Sequence, residues 1–378
     1  MLTPLGWGTG AVSVLLYAAG WWLGYPEPAM LASAGLPAVA GAVLWTLPRP
    51  RLEVAREIAP LKVERGEPAV GVLHVTNAGR AAVRGLVAHD AAGSTAVAVE
   101  VPRLRPRGKR TVTYRLPTDR RGEIPVGPLR LARADPLQLA RRVREYGSTQ
   151  TLLVRPKTVP LGLLPSGRAY HLEGPTSEKS PAGTATFHAL REYVAGDEMR
   201  HIHWKSSART GTLMVRRLVD ASLPTTTVVL EARPEAWADP DDFELAVDAA
   251  ASVAVGAAAA NFPVRVLTGN GPVAETRGGP EGTEALLDGL TAVAPAAGPH
   301  STVDVVRRVR AGGSLVVVTP GAAELDRIAA VRGRFDRVVV LRVRPDGPAS
   351  APPGVRLLDF GDLDGLAAAW NRQGRAGR

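Results

Sequence analysis

The sequence predicts a multi-domain chain: an N-terminal helical hairpin that crosses a membrane, then an antiparallel β-sandwich, then an α/β domain built on a doubly wound sheet. Three observations predict it. Residues 1–48 carry one charged side chain, Glu27. From Arg51 to about Pro156, short alternating apolar and polar runs are broken by Gly, Pro and Asn. From Pro224 onward, apolar strand-length runs alternate with helix-length segments. With 378 residues, 45% of them hydrophobic, the chain can fill more than one core.

The hairpin comes first. Leu5 to Tyr25 and Pro28 to Pro48 are uncharged stretches of 21 residues each, near the roughly 20 residues that span a bilayer as helix. Trp7 and Trp45 fall at one interface, and Trp21, Trp22 and Tyr25 at the other. The run Tyr25-Pro26-Glu27-Pro28 supplies the turn, since proline breaks a helix and restricts the residue before it. Orientation follows from the basic residues: the turn has none, whereas Arg49, Arg51 and Arg56 follow the second span. The expected location is the plasma membrane, with two transmembrane helices and with both termini and the soluble domains on the cytoplasmic side. A cleaved signal peptide is the competing reading, because Ala32-Ser33-Ala34 has the form of a cleavage site, but the basic n-region is missing. The glycines at 6, 8, 10, 20, 35 and 41 suit close helix packing.

In the β-region, Thr111 to Leu116 alternates with the period of a half-buried strand. Ala69 to Val75 ends in the turn-like Asn77-Ala78-Gly79, and Gly127-Pro128 precedes Leu129 to Leu131. Several strands at this spacing point to an immunoglobulin-like sandwich. Arg103, Arg105, Arg107, Lys109, Arg110, Arg120 and Arg121 cluster around a single acid, Asp119. A solvated face near a membrane anchor explains them better than nucleic-acid binding, since no nucleic-acid module accompanies them. The net charge of +10 has a compositional explanation too: only five basic residues are lysine, as GC-rich coding would give. The absence of cysteine excludes disulfides, thiolate metal sites and cysteine nucleophiles.

The C-terminal region reads as strand Thr225–Leu230, helix Asp241–Ala260, strand Val264–Leu267, strand Ser314–Thr319, helix Ala322–Val331, strand Arg337–Val343 and a closing helix Leu363–Asn371. Such alternation implies a mainly parallel sheet, with ligands at the carboxyl ends of its strands. The segment Gly162 to Ala185 is rich in Gly, Pro and Ser and reads as linker. The predicted division is therefore 1–48 hairpin, 49–159 sandwich, 160–223 linker and connector, and 224–378 α/β domain.

Between linker and α/β domain lies the densest block of charge, aromatic and turn residues, Leu190 to Leu218. Its Arg191, Glu192, Tyr193, Gly196, Asp197, Arg200, Ile202, His203, Trp204, Lys205, Ala208 and Arg209 resemble the signature of the bacterial domain-of-unknown-function-58 family. Arg120 to Arg142 is similar to that family's upstream segment. The resemblance implies a von Willebrand factor type A-like C-terminal domain in a membrane-anchored protein, working with a MoxR-type AAA+ ATPase and other membrane proteins. It also implies a role in assembling or maturing envelope or membrane complexes.

Type A-like domains hold Mg²⁺ on an Asp-x-Ser-x-Ser strand end, whose oxygens suit a hard cation. Here the stretch reads Glu231-Ala232-Arg233-Pro234-Glu235, and Thr319-Pro320-Gly321 stands where Thr-Asp-Gly is common. No metal site and no cofactor are expected. Glu231, Arg233, Glu235 and Thr319 instead form a candidate partner surface, with Glu231 read as a solvated strand-end residue.

Within the signature block, Asp197 is the expected N-cap of a helix reaching Ala208, with Arg209-Thr210-Gly211 ending it. The charges at 191, 192, 197, 198, 200, 205 and 209 are expected to form a polar network, with Trp204 anchored in apolar surroundings. The block so read is a structural clasp. Two alternatives stand beside it. One is a metal-dependent hydrolase using His201 and His203, aided by His188 and Glu192; the other is a basic membrane-surface or nucleic-acid binder. Histidines two apart diverge on a helix, and Ser206 and Ser207 lack a nucleophile elbow. No phosphate loop is present, so no ATP hydrolysis by the chain itself is expected. The expectation is a non-catalytic adaptor or scaffold without catalytic residues.

Overall fold

The computed structural model describes residues 1–48, 50–162, 185–194, 199, 202–220, 223–321 and 324–376. It divides into two compact units, Met1–Lys157 and Thr158–Arg378.

The first unit opens with two helices, α1 (Pro4–Leu23) and α2 (Pro26–Thr46). Gly24 closes α1 in the left-handed conformation, and Pro26 starts α2 at once because its fixed φ suits a first helical position. The helices run back against each other along small residues: Gly20 lies against Ala29, and Gly35 against Ser13. What they leave outside is apolar. Trp21 and Trp22 are 82% and 89% exposed, and Leu15, Met30, Leu31 and Leu44 are also exposed. Among the described helices, α2 alone is long and apolar enough by itself to cross a membrane.

Nine strands follow: β1 (Leu52–Ala59), β2 (Lys62–Glu64), β3 (Ala69–Asn77), β4 (Leu86–Ala92), β5 (Thr95–Val101), β6 (Lys109–Leu116), β7 (Gly122–Ala134), β8 (Arg141–Tyr146) and β9 (Gln150–Arg155). One sheet has the order β1-β3-β6; the other is β2-β9-β7-β4-β5, with β8 added to β7. Every pair is antiparallel except β2 with β9. Strict alternation on β3 and β4 turns one face of each inward, where Leu73, Leu104, Leu129, Leu152 and Val154 share a core drawn from both sheets. A polar bridge crosses that core: Asp90 on β4 accepts from the Tyr114 hydroxyl on β6 and from Arg56 on β1, the latter at 2.8 Å. Gly127-Pro128, expected to precede a strand, lies inside the continuous β7, which absorbs it with a register shift opposite Asp90 and Ala92.

The second unit contains β10 (Ala185–Glu192), α3 (Trp204–Thr210), β11 (Met214–Asp220), β12 (Thr226–Leu230), α4 (Pro240–Ala259), β13 (Val264–Thr268), β14 (Gly271–Thr276), α5 (Gly279–Thr291), α6 (Thr302–Arg308), β15 (Ser314–Thr319), α7 (Leu325–Ala330), β16 (Arg337–Val343), β17 (Val355–Phe360) and α8 (Leu363–Ala376). The main sheet has the order β14-β13-β12-β15-β16-β17, parallel except for β14. β12 sits in its middle, buried along its whole length, which is why it reads as a continuous apolar run. Helices cover both faces: α4 packs over Val228, Val316 and Val339, while α6 and α7 cover Val229, Val317 and Val340. Five of these elements, β10, β14, α5, α6 and β17, were not anticipated from the sequence. The predicted linker lies outside the described residues, apart from Gly162 and Ala185.

Candidate functional site

The connector is a small assembly closed on itself. β10 pairs antiparallel with β11, from Ala185 opposite Asp220 to Glu192 opposite Met214. The chain between them returns through α3, and backbone bonds from Tyr193 to Leu213 and from His203 to Met214, each 2.8 Å, hold the return. The Ser207 hydroxyl accepts from the Met214 amide at 2.8 Å and donates to the His203 carbonyl. α3 therefore rests on the first residue of β11.

Its cap corrects the expected one. The helix begins at Trp204 rather than Asp197, and its N-cap is His203, whose Nδ1 accepts from the Ser206 amide at 3.2 Å. Gly211 ends it with φ 74°, as expected of the Arg209-Thr210-Gly211 run. Trp204 is not anchored in apolar surroundings; it is 64% exposed. Lys205 and Arg209 are exposed too and meet no carboxylate among the described residues; Asp197, Glu198 and Arg200 of the expected polar network lie outside them. Ile202 and Val215, bridged to each other, are the buried apolar pair beneath the helix. Arg191 and Glu192 end β10 and Tyr193 follows it, and Gly196, Asp197, Arg200 and His201 fall outside the described residues.

The carboxyl ends of the main sheet hold the second cluster. Glu231 follows β12 directly, and its amide bonds to Val318 on β15, which keeps the carboxylate at the sheet's rim. It is not a solvated residue, as expected from sequence, but 4% exposed. Arg233 meets it with two parallel bonds, Nε to Oε1 at 3.0 Å and Nη2 to Oε2 at 2.7 Å. The Arg233 amide adds a bond of 2.9 Å to Oε1, and the Thr302 hydroxyl, at the start of α6, donates to Oε2 at 2.7 Å. Burial alone would raise the Glu231 pKa; the bonds from Arg233 and Thr302 outweigh it, and the group sits below its ordinary value. The Arg233 guanidinium is raised above its own by the bonds to Glu231.

Around this pair, the Trp237 indole donates to the Glu231 carbonyl at 3.2 Å and packs edge-on against Phe243. Glu324 lies 3.7 Å from Arg233 Nη2. Glu235 is exposed and Thr319 half-buried at the end of β15. Thr302 and Glu324 were missed by sequence reasoning, because they come from distant loops. Thr302 had a local signal, since Ser301-Thr302-Val303-Asp304 forms a capping box.

A hard cation needs several oxygen ligands directed at one point. At Glu231 both oxygens are already bonded to Arg233 and Thr302, and the guanidinium fills the space in front of the carboxylate. These residues do not fit a divalent cation. Among the described residues, no group of three or more His, Asp or Glu is placed to hold a metal.

Residues 189–346 match the family described as "Protein of unknown function DUF58". No curated protein matches the chain. Among solved structures, a CARDB domain from Pyrococcus furiosus, crystallised in complex with di-metal ions, is 19% identical, covering 28% of this chain and 91% of its own, with a TM-score of 0.21. The solution structure of that domain is 18% identical over 28% and 94%, again with a TM-score of 0.21. The sporulation control protein Spo0M from Bacillus subtilis is 14% identical over 27% and 49%, with a TM-score of 0.16. At such scores these likenesses carry no argument about fold or function. What is shown is a multi-domain α/β chain with a segment that matches the DUF58 family, one long apolar helix near its N-terminus and no catalytic-looking constellation among the described residues.

Proposed function

We propose that the chain is a membrane-anchored, non-catalytic adaptor whose carboxyl-edge cluster is a protein-binding surface. The observation that carries this reading is the closed Glu231–Arg233–Thr302 cluster. Its polar groups bind one another at the rim of the sheet, where doubly wound folds take their ligands, and no group is left poised over a reacting atom. In this reading the sheet, with its antiparallel edge strand β14, is a degenerate von Willebrand factor type A-like domain, and the sandwich is immunoglobulin-like. The partner is a MoxR-type AAA+ ATPase, and the process is assembly or maturation of envelope or membrane complexes. α1 and α2 are two spans, with both termini and the soluble domains cytoplasmic. Support for a retained hairpin rather than a cleaved leader comes from the bonds of Thr3 to Gln138 and Leu139, which tie the start of α1 into the fold.

Crosslinking in native membranes, followed by identification of the captured proteins, tests the reading. An AAA+ ATPase is expected, retained by a His201→Ala/His203→Ala variant and lost on Arg233→Glu. Recovery of no ATPase, or capture indifferent to Arg233→Glu, overturns it.

A further inference from the structure

The foot of the hairpin is bound to the sandwich by the turn between β7 and β8. Leu2 pairs with Ala140, the Thr3 amide bonds to the Leu139 carbonyl at 2.9 Å, and its hydroxyl donates to Gln138 at 2.7 Å. Ala42 of α2 packs on Leu139 and Ala140. Asp135 shapes the turn by accepting from the Leu137 and Ala140 amides at 2.8 and 2.6 Å. The end of α2 is thereby fixed beside the outward face of the second sheet.

That junction gathers cations. Arg142 Nη1 donates to the Leu47 carbonyl at 3.3 Å and Arg133 Nη1 to the Pro48 carbonyl at 3.1 Å, so guanidinium groups meet the negative end of α2. On the outward face, β-register puts His89, Arg130 and Glu145 in one row, with Arg141 two rows along. Arg130 Nε is bonded to Glu145 at 2.9 Å. Arg141 Nη2 lies 2.8 Å from His89 Nε2. Because arginine only donates, Nε2 is the acceptor, and His89 orients the guanidinium without neutralising it. Burial and the charge of Arg141 both hold the imidazole pKa down. Arg141 and Arg142 meet no carboxylate among the described residues.

These arginines line an open cleft that also holds the Arg130–Glu145 pair and, as a mostly apolar wall from the end of α2 and β8, Val43, Thr46, Leu47 and Val143. The apolar wall continues along the exposed flank of α2 through Leu44 and Trp45. A soluble anion would use the cations and waste that wall. An amphiphile uses both, since basic pockets at the cytoplasmic side of membrane helices take anionic headgroups while lipid chains follow the helix.

Resting on the membrane-hairpin reading, we propose that this cleft binds an anionic phospholipid of the leaflet in which α2 ends. Arg141 and Arg142 take its phosphate, and its acyl chains lie along Val43 and Leu47. The site fixes the height of the sandwich at the bilayer surface, because Arg142, which holds the phosphate, also holds the Leu47 carbonyl at the end of α2.

Native mass spectrometry of the full chain in detergent micelles, with equal phosphatidylglycerol and phosphatidylcholine, tests the assignment. The wild type is expected to retain phosphatidylglycerol in about thirtyfold excess, as two arginines at a headgroup would give. The excess falls to near parity in Arg141→Gln/Arg142→Gln and drops several-fold in Arg141→Gln, which leaves the Arg142–Leu47 bond in place. Arg103→Gln/Arg105→Gln, which removes equal charge from the sandwich elsewhere, keeps the full excess. Equal loss in that control means diffuse attraction and overturns the site, as does displacement of the lipid by millimolar inorganic phosphate. Alkaline carbonate extraction of native membranes separates the two readings. A chain released by carbonate overturns the anchoring and the lipid site together, whereas a retained chain without lipid preference overturns the lipid site alone.

Discussion

At Glu231 and Arg233, one pair of side chains decides what the rim of the sheet can hold. A carboxylate taken out of water is stable as an anion only when its lone pairs are met, and here Arg233 and Thr302 meet them. Arg233→Ala leaves the carboxylate buried and uncompensated. We expect a loss of about 2 kcal/mol, less than for a fully buried pair because 32% of the Arg233 side chain remains exposed to screening water. Denaturant titration followed by Trp237 fluorescence reads it. The same carboxylate sets a pH dependence. Its folded pKa lies below the ordinary value, so in the window beneath that value the unfolded chain binds the proton first. Its stabilisation is complete above the ordinary carboxylate value and is lost as pH falls through the folded one. The melting gap between wild type and Glu231→Gln therefore narrows on acidification; a gap that stays constant to pH 3 contradicts the assignment. Gly71 makes a steric case in the other unit. A Cβ there meets the Tyr114 ring, and β3 is paired on both sides and cannot withdraw. Gly71→Ala is expected to cost about 2 kcal/mol by overpacking, read from the same titration at a probe in the sandwich. Arg233's charge beside Glu231 was legible from the sequence; its burial was not, because Thr302 and the rim come from loops distant in sequence.

Short elements show where sequence patterning stops. α3 has seven residues, too few to be stable alone, so its ends and its tertiary bonds matter more than propensity. Gly211 marked its end because a left-handed residue there favours glycine. Its start was misplaced because aspartate is the commoner cap, whereas here the histidine ring reaches the Ser206 amide. The cap role predicts that His203→Ala lowers hydrogen-exchange protection of the α3 amides by about 1 kcal/mol, and that His203→Asn restores most of it. A histidine held for proton transfer gives no such rescue pattern. In the main sheet, β12, β15 and β16 were legible because central parallel strands are buried on both faces and must be apolar throughout. β14 was not, since a half-exposed edge strand carrying Pro272 has no such run. α5 was hidden by Gly279, Gly282 and Gly289. The last two are there for packing: a Cβ at 282 meets Thr276, and one at 289 meets the β14 backbone at 3.1 Å. The composition that allows α5 to lie close on β14 is the one that obscures both.

For the whole chain, the consequential division is between the exposed apolar hairpin and the parts that are held by their own cores. The sandwich core is drawn from both sheets and takes nothing from α1 or α2. The hairpin's hold on it is local: the small cluster of Ala42, Leu139 and Ala140, with the bonds of residues 1–3 to the β7–β8 turn. Removing residues 1–48 deletes one charge, Glu27, and moves the net charge from +10 to +11 by that single loss. It therefore removes almost all of the exposed aromatic surface among the described residues and almost none of the charge that keeps a protein dispersed. We expect residues 49–378 to leave the membrane fraction, remain monodisperse without detergent and keep both folded units. The melting point of the sandwich falls by the roughly 9 °C that correspond to about 2 kcal/mol of uncovered contact at the turn. Near-ultraviolet circular dichroism and light scattering read the two outcomes separately. Aggregation with native-like dichroism means the hairpin covers more of the sandwich than this cluster, while loss of dichroism means the sandwich core depends on it. If the truncated chain stays with the membrane, the hairpin is not the anchor, and the basic face of the sandwich becomes the element that holds the chain there.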